Sequence, residues 1–499
     1  MHPATIEEIQ DFKGKYPKQL YLLFFTEMWE RFTFYGNRAL LLLFMVNYLK
    51  FDDEKGNLIY GTYQSLIYAL PVVGGFLADR FLGQRKSILW GGVMLVVGSF
   101  VMAIPVPESF FIGMGILIVG NGYFKPNIST IVGNLYKEDD VRRDAGFSFF
   151  YMGINIGGAL GGLLCGWIGQ NYNWHAGFGL AGIFMIGGLI TFYKNQHKLG
   201  PIGLPPSAEN LQAPSPVGLK KEWLIYLLSI AAVPVFILIL NYYKIYSYLI
   251  NPFGIIALVY VIYTASQLGK EAFLKIIAAL VLIIFSALFW AFYEQGGGSL
   301  NLFAERNVNM TIAGIHLSSA AVNNSINSAM IVLLTPFFVW IWIWLYKKKR
   351  EPNSAIKFVL ALVFLSAGFY VFVIGGKVAS KGMVSLFYFS LGYLVMTMGE
   401  LCLSPIGLSA ITKLSPKKMA GLMMGVWFLA SSYGQYLAGL IGTLMAIPGE
   451  KETGKAMAAT ESLSIYSGVF TKISLVAAAC AILLLLLSPW LKKMMRGIK

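Results

Sequence analysis

The sequence predicts an all-α protein that crosses a lipid bilayer many times, and three observations carry that prediction. Of its 499 residues, 57% are hydrophobic and 13% charged, against about a quarter charged in soluble domains. So few charges cannot cover a water-facing surface. Many apolar runs, taken with their flanks, reach the ~20 residues a helix needs to cross hydrocarbon, among them Trp223–Leu240, Phe358–Ile374 and Ile473–Leu487. The basic residues, which give a net charge of +15, collect in alternate loops.

Taken in order, apolar runs predict spans near 18–48, 60–80, 86–104, 108–135, 141–168 and 174–194. These six helices form an N-terminal bundle over 1–194. Residues 195–220 hold five prolines, Pro201, Pro205, Pro206, Pro214 and Pro216, a composition that reads as a cytoplasmic linker that packs poorly. An inserted helix pair follows within 221–268, as spans near 221–243 and 252–268. The C-terminal six-helix bundle, 269–499, has spans near 272–303, 316–347, 354–376, 382–413, 417–447 and 467–495. The total is fourteen, and an insertion of two leaves the orientation of the second half unchanged.

Basic clusters fall at Lys13/Lys15/Lys18, Arg80/Arg85/Lys86, Lys137/Arg142/Arg143, Lys194/Lys198/Lys220/Lys221, Lys270/Lys275, Lys347–Arg350, Lys413/Lys417/Lys418 and Lys492/Lys493/Arg496/Lys499. Intervening loops such as Asp52–Lys55 and Glu450–Glu461 are mixed or acidic. That is the positive-inside pattern, and it predicts both termini in the cytoplasm. Charges that obey a membrane topology also argue against a nucleic-acid partner. The start, Met1–Lys18, carries Glu7, Glu8 and Asp11 before any apolar run. It differs from a cleaved signal peptide, so the first helix is expected to be retained.

Chemistry-bearing motifs are sparse. Cys165, Cys402 and Cys480 lie far apart in apolar segments, and His2, His175, His197 and His316 are scattered, so neither a disulfide framework nor a metal site is predicted. No HExxH, nucleophile elbow or GxxxxGK[ST] is present. A membrane-embedded enzyme therefore lacks sequence support, and no cofactor is expected beyond protons as coupling ion. Gly157-Gly158-x-x-Gly161-Gly162 reads as a close-packing helix face. The segment Gly75-Phe76-Leu77-Ala78-Asp79-Arg80-Phe81-Leu82-Gly83-Gln84-Arg85-Lys86 resembles the GxxADRxxGxRK loop of the major facilitator superfamily. With the two six-helix halves and their linker, this predicts the major facilitator fold with an extra helix pair.

Charges inside the spans carry the functional signal, because each costs at least ~2.5–3.5 kcal/mol at mid-bilayer. The first helix holds Glu27, Glu30, Arg31 and Arg38. At 100° per residue, Glu27, Arg31 and Arg38 fall within about 40° of one another, with Glu30 to one side and Tyr35 to the other. This polar stripe can line water or neutralise itself in a salt-bridge network. Lys125, Glu294 and Glu400 stand isolated in other spans, each in or beside Gly or Pro, where a helix loosens around a cavity. Carboxylate–cation pairs that open and close can load and release a proton, which favours coupled transport over passive flow.

Two segments resemble motifs of the bacterial proton-dependent oligopeptide transporters. Glu27-x-x-Glu30-Arg31-Phe32-Thr33-Phe34-Tyr35-Gly36 is similar to the ExxERFxYYG motif, and Phe147-Ser148-Phe149-Phe150-Tyr151-Met152-Gly153-Ile154-Asn155-Ile156-Gly157 to FSxFYxxINxG. The resemblance spans the chain, including the extra helix pair. It implies an importer of di- and tripeptides, driven by protons through alternating access in the inner membrane of a bacterium and working as a monomer among lipids. Glu27, Glu30, Arg31 and Glu294 would couple protons. Arg31, Arg38 and Lys125 would meet the peptide carboxylate; Asn155, Asn327, Glu294 and Glu400 would complete the binding site, with Asn155, Asn327 and Glu400 at the amino end. Tyr35, Tyr68, Trp427, Phe428 and Ser431 would shape side-chain pockets. Arg38–Glu294 and Lys125–Glu400 would be gating salt bridges.

The sequence departs from the family pattern at Phe34, which replaces a tyrosine, at Ser328, where proline is common, and at Gly158, where serine is usual. Gly296-Gly297-Gly298 is expected to make the seventh helix of the family fold pliable. A facilitator of this fold for another anionic or zwitterionic solute remains the alternative. The inserted pair carries no residue tied to chemistry and reads as a brace or lipid-facing addition.

Overall fold

The computed structural model describes residues 5–137, 140, 142–447 and 457–495. Most of the acidic loop expected at 450–461, together with Arg496 and Lys499, lies outside the described residues. Among these residues helices dominate: α1 Lys18–Leu43, α2 Asp53–Leu77, α3 Gly83–Met102, α4 Pro107–Asn134, α5 Arg143–Asn171 and α6 Trp174–Asn195. The inserted pair is α7, Lys221–Asn241 with an interruption at Ala232, and α8, Tyr246–Ser266. Then come α9 Lys270–Tyr293, α10 Ser319–Lys347, α11 Ser354–Lys377, α12 Leu386–Leu414, α13 Ala420–Thr443 and α14 Ala459–Met495.

Among the described residues, ten helical stretches are both long and apolar enough to cross a membrane, and one of them, Asp53–Met102, contains α2 and α3. Helices α1, α4 and α13, at 26, 28 and 24 residues, have the length but are not among the ten. Helix α1 is also the one loaded with charge.

Helix starts follow local chemistry. The side chain of Asn173 accepts from the amides of His175 and Ala176 before α6, and Asn353 accepts from Ile356 before α11. Helix α4 begins at Pro107, where the missing N–H costs nothing. Helix α2 starts at Asp53, earlier than its apolar run, because Asp53 and Glu54 suit the positive end of a helix. The expected span 272–303 is instead broken. Helix α9 ends at Tyr293, a tight turn covers Glu294–Gly296, and a short helix resumes over Ser299–Asn307. The glycine run lies in that break.

The chain forms two compact units. The first comprises Met1–Leu41, Leu66–Tyr242 and Ala320–Ser328; the second comprises Leu42–Ser65, Tyr243–Ser319 and Ala329–Lys499. In the first unit, α5 is packed through glycine on two faces. A Cβ at Gly157 or Gly161 would strike the carbonyls of Met28 and Phe32 on α1. One at Gly158, Gly162 or Gly166 would meet Ser328, Asn324 or Ala321 at the start of α10. Such close backbone approach is what small residues permit where lipid offers no hydrophobic drive.

The linker is docked on the first unit rather than loosely packed. Gly83 adopts φ +73°, and a side chain there would collide with Leu204. Arg85 reaches back to the linker: its Nε donates to the Ile202 carbonyl at 2.7 Å and it also donates to Gly200. Linker carbonyls thus satisfy a guanidinium. At the chain start, Arg142 donates to the carbonyls of Phe12 (3.0 Å) and Gly14 (3.2 Å) and stacks on the Phe12 ring.

The second unit has an aromatic core in which Phe303, Phe369, Phe372, Phe389 and Phe470 meet at 5.0–6.4 Å. Near its loops, Arg306 binds Asp53 in a two-pronged ion pair, with Nη2–Oδ1 at 2.9 Å. Two minimal sheets lie beside it: Val308–Asn309 runs parallel to Val384–Ser385, and Thr311–Ile312 pairs with Ile315–His316.

Candidate functional site

In the first unit the stripe on α1 closes on itself. Arg31 is the hub: its Nε lies 3.3 Å from Glu27 Oε1, its Nη2 donates to Glu30 Oε1 at 2.6 Å, and its Nε also donates to Glu30 Oε2. All three residues are at most 3% exposed, so lipid and bulk water are both excluded from them. One guanidinium serves two carboxylates, and Glu27 Oε2 is buried without a hydrogen-bond partner among the described residues. Asn121 on α4 donates to Glu30 Oε1 at 3.4 Å.

The neighbouring predicted residues form cation–aromatic pairs. The Arg38 guanidinium lies 5.7 Å from the Tyr35 ring, and Lys125 Nζ lies 4.1 Å from the Tyr68 ring. Phe34, the departure from the tyrosine pair, faces Arg31 at 4.8 Å. An aromatic face is kept there and a hydroxyl is not. Asn155, on α5, donates to the Tyr151 carbonyl at 2.9 Å.

The two other departures meet. A Cβ at Gly158 would sit 2.8 Å from Ser328 Oγ and 3.0 Å from the Tyr35 ring. The space left by glycine is therefore filled by the hydroxyl of Ser328, one residue after Asn327 on α10, and by Tyr35 of α1. Proline is absent at 328, and α10 continues helically through it.

In the second unit Glu294 and Glu400 are buried. Glu294 opens the break after α9, and Glu400 lies within α12. Gln295 braces the break: its Nε2 donates to the carbonyls of Ala291 and Ala438, each at 3.0 Å, and its Oε1 accepts from Ser299 at 2.6 Å. The Tyr293 hydroxyl donates to Glu400. On α13, Ser431 Oγ donates to the Trp427 carbonyl at 3.1 Å, and Phe428 shares that side of the helix. Arg38 and Lys125 belong to the first unit, Glu294 and Glu400 to the second.

Sequence reasoning missed two partners. Tyr293 adjoins Glu294 but looked like one of many aromatics. Asn121 lies four residues before Lys125, a spacing that places both on one helical face, and that was the available signal.

A buried charge cluster in a polytopic helical protein narrows the class, and comparison with known proteins decides it. The POT family model matches residues 85–458. The chain belongs to the POT family. This POT-family chain is 35% identical over 498 residues to the uncharacterized transporter YclF of Bacillus subtilis (strain 168), covering 97% of this chain and 96% of the relative. It is 34% identical over 506 residues to the peptide transporter YePEPT of Yersinia enterocolitica, again covering 97% and 96%. Among solved structures, the peptide transporter POT in complex with sulfate aligns with TM-score 0.83 at 34% identity, over 99% of this chain and 100% of that one. A POT family transporter in complex with 5-aminolevulinic acid aligns with TM-score 0.82 at 30% identity, over 98% and 100%. The POT-family chain thus has the major facilitator fold, with the inserted pair α7–α8 between its halves in sequence.

Proposed function

We propose that this chain is a proton-coupled symporter that imports di- and tripeptides by alternating access. The observation that carries the reading is the Glu27–Arg31–Glu30 cluster, three ionisable groups buried in a bilayer-spanning helix with one cation for two carboxylates. Ion pairs of this kind are expensive in a membrane and mark ion pathways. Glu27, whose Oε2 has no donor among the described residues, is the proposed proton acceptor, with Glu30, Arg31 and Glu294 completing the relay.

A short peptide offers one ammonium, one carboxylate and an amide. Arg31, Arg38 and Lys125 supply cationic groups for the carboxylate, while Asn155, Asn327, Glu294 and Glu400 meet the amine and amide. Tyr35, Tyr68, Trp427, Phe428 and Ser431 accept varied side chains without reading them. Proton and peptide would compete for the pairs Arg38–Glu294 and Lys125–Glu400, so that the conformer with each pair formed differs in affinity from the one with it broken. The reading is supported by the dipeptide and tripeptide permease B of Aeromonas hydrophila, 30% identical over 485 residues. Residence in a bacterial inner membrane, cytoplasmic termini and function as a monomer belong to the same proposal.

Purified protein in lipid vesicles tests it. Labelled dipeptide should accumulate under an inward proton gradient and cease to do so when the gradient is collapsed. Uptake to the same level without a gradient would remove proton coupling. Competition by tripeptide but not by tetrapeptide is expected. A solute such as 5-aminolevulinic acid, which also carries an amine and a carboxylate, should compete; displacement by non-peptides alone would favour a different substrate class.

A further inference from the structure

The inserted pair is anchored by its two helices in different compact units, the division falling between Tyr242 and Tyr243. Helix α7 is held in the first unit. Glu222 pairs with Lys86 at 2.6 Å, Ser229 accepts from Trp90 Nε1 at 2.9 Å, and Tyr226 stacks on Trp90 at 4.5 Å. Val233 and Ile237 close over Gly115 of α4. A purely lipid-facing helix needs none of these polar contacts.

Helix α8 is held in the second unit, and at a particular place. There α2 crosses α13 at close range: a Cβ at Gly439 would lie 2.8 Å from the Gly61 Cα and from the Asn57 carbonyl. Ser65 and Ser432 exchange hydrogen bonds at this crossing. Ser65 Oγ donates to the Ser432 carbonyl at 2.8 Å, and Ser432 Oγ donates to the Ser65 carbonyl at 2.8 Å. Ser65 Oγ and Ser432 Oγ also lie 2.7 Å apart, and the Tyr246 hydroxyl is hydrogen-bonded to Ser65 Oγ at 2.8 Å. Tyr246 is buried and stacks edge-on against Tyr436 of α13 at 5.4 Å. Asn251, further along α8, accepts from Tyr433 at 2.6 Å.

We propose that Tyr246 of the inserted pair is a positioning residue of the transport cycle, whose hydroxyl stabilises the conformer in which Ser65 of α2 and Ser432 of α13 are hydrogen-bonded. The inference rests on the alternating-access reading, since a crossing that never opens needs no such stabilisation. The hydroxyl loses this partner when the crossing separates, so removing the hydroxyl acts on one conformer more than on the other. The inserted pair then biases the resting population, with α7 fixing the pair's other end.

The test reads conformation directly, without peptide or proton gradient. Spin labels on Glu54→Cys and Lys381→Cys, both exposed, in a Cys480→Ser background report separation of the α2 start from the rest of the second unit in lipid nanodiscs. Tyr246→Phe, which keeps the ring, should lower the ratio of short- to long-distance populations about threefold, the effect of one membrane hydrogen bond. Ser65→Ala should shift it in the same direction, and Tyr246→Phe should add little in the Ser65→Ala background. A distribution for Tyr246→Phe identical to that of the parent, at equal monodisperse yield, overturns the proposal. So does a Tyr246→Phe shift of full size in the Ser65→Ala background. If Tyr246→Phe fails to fold, an unshifted Ser65→Ala distribution overturns it alone. Failure of peptide uptake would leave these distances readable, so the two readings fail separately.

Discussion

Tyr293 donates its phenolic hydrogen to Glu400, joining the end of α9 to the middle of α12 inside the second unit. Glu400 is thereby fixed in orientation beside the break that Glu294 opens. A hydrogen bond to a charged group contributes about 1.5–3 kcal/mol. Tyr293→Phe should therefore raise the dipeptide KM roughly tenfold at unchanged membrane expression. A KM within about twofold of the parent would show that Glu400 orientation is set elsewhere.

Removing the proposed proton acceptor at Glu27 should separate binding from energy coupling. Glu27→Gln keeps the shape of the side chain but cannot exchange a proton. Gradient-driven accumulation is expected to disappear, while exchange of labelled for unlabelled dipeptide across vesicles persists. Accumulation at the parental level would assign the proton elsewhere in the chain. Glu294→Gln and Glu400→Gln are also expected to abolish accumulation, with exchange surviving only in Glu294→Gln.

The glycines of α5 give a stability prediction with an internal control. Gly161→Ala forces a methyl against the backbone of Phe32, whereas a Cβ at Gly187 on α6 meets nothing within 4 Å. Overpacking of this kind costs about 1–3 kcal/mol, and Gly→Ala in open helix stabilises by about 0.5–1 kcal/mol. Thermal unfolding in detergent should show a lower midpoint for Gly161→Ala and an unchanged or higher one for Gly187→Ala.

The N-terminal clamp carries a pH prediction. Hydrogen bonds from Arg142, three from its side chain at 2.7–3.1 Å and one from its backbone, hold the Asp140 carboxyl below its ordinary range. A depressed carboxylate contributes stability above its unfolded pKa of about 3.9 and loses it as pH falls through the lower folded value. Amide exchange over Phe12–Gly14 should thus be independent of pH from 5 to 8, after correction for intrinsic rates, and rise only in stronger acid. Asp140→Asn should raise it at neutral pH, and no change there would mean that Arg142 needs no carboxylate to reach Phe12 and Gly14.

Membrane helices were legible because their physical cause is local. A run of apolar residues between basic loops specifies a span, and the spans read at 86–104, 108–135, 174–194 and 354–376 lie within three residues of α3, α4, α6 and α11 at either end. The charge stripe of α1 was legible for the same reason, since Glu27, Glu30 and Arg31 lie within one and a half turns. Relations across long sequence separations were not. Nothing local distinguishes Tyr293 from the other tyrosines, or Ser65 and Ser432, 367 positions apart, from serines that merely back-bond within a helix. The end of α9 at Tyr293 was half legible. Glycines announce pliability, but that the break is held by Gln295 bonding to Ala438 depends on α13 arriving there.

The two glycine faces of α5 also bear on how this gene can change. Every single-nucleotide substitution of a glycine codon that alters the residue introduces at least a β-carbon or a stop. At Gly157 and Gly161 that carbon meets the α1 backbone, and at Gly158, Gly162 and Gly166 it meets the start of α10. A saturation library selected for growth on an essential peptide should show a depleted double stripe along α5. The exposed Leu160 and Leu163, on the opposite face of the same helix, should tolerate most apolar replacements.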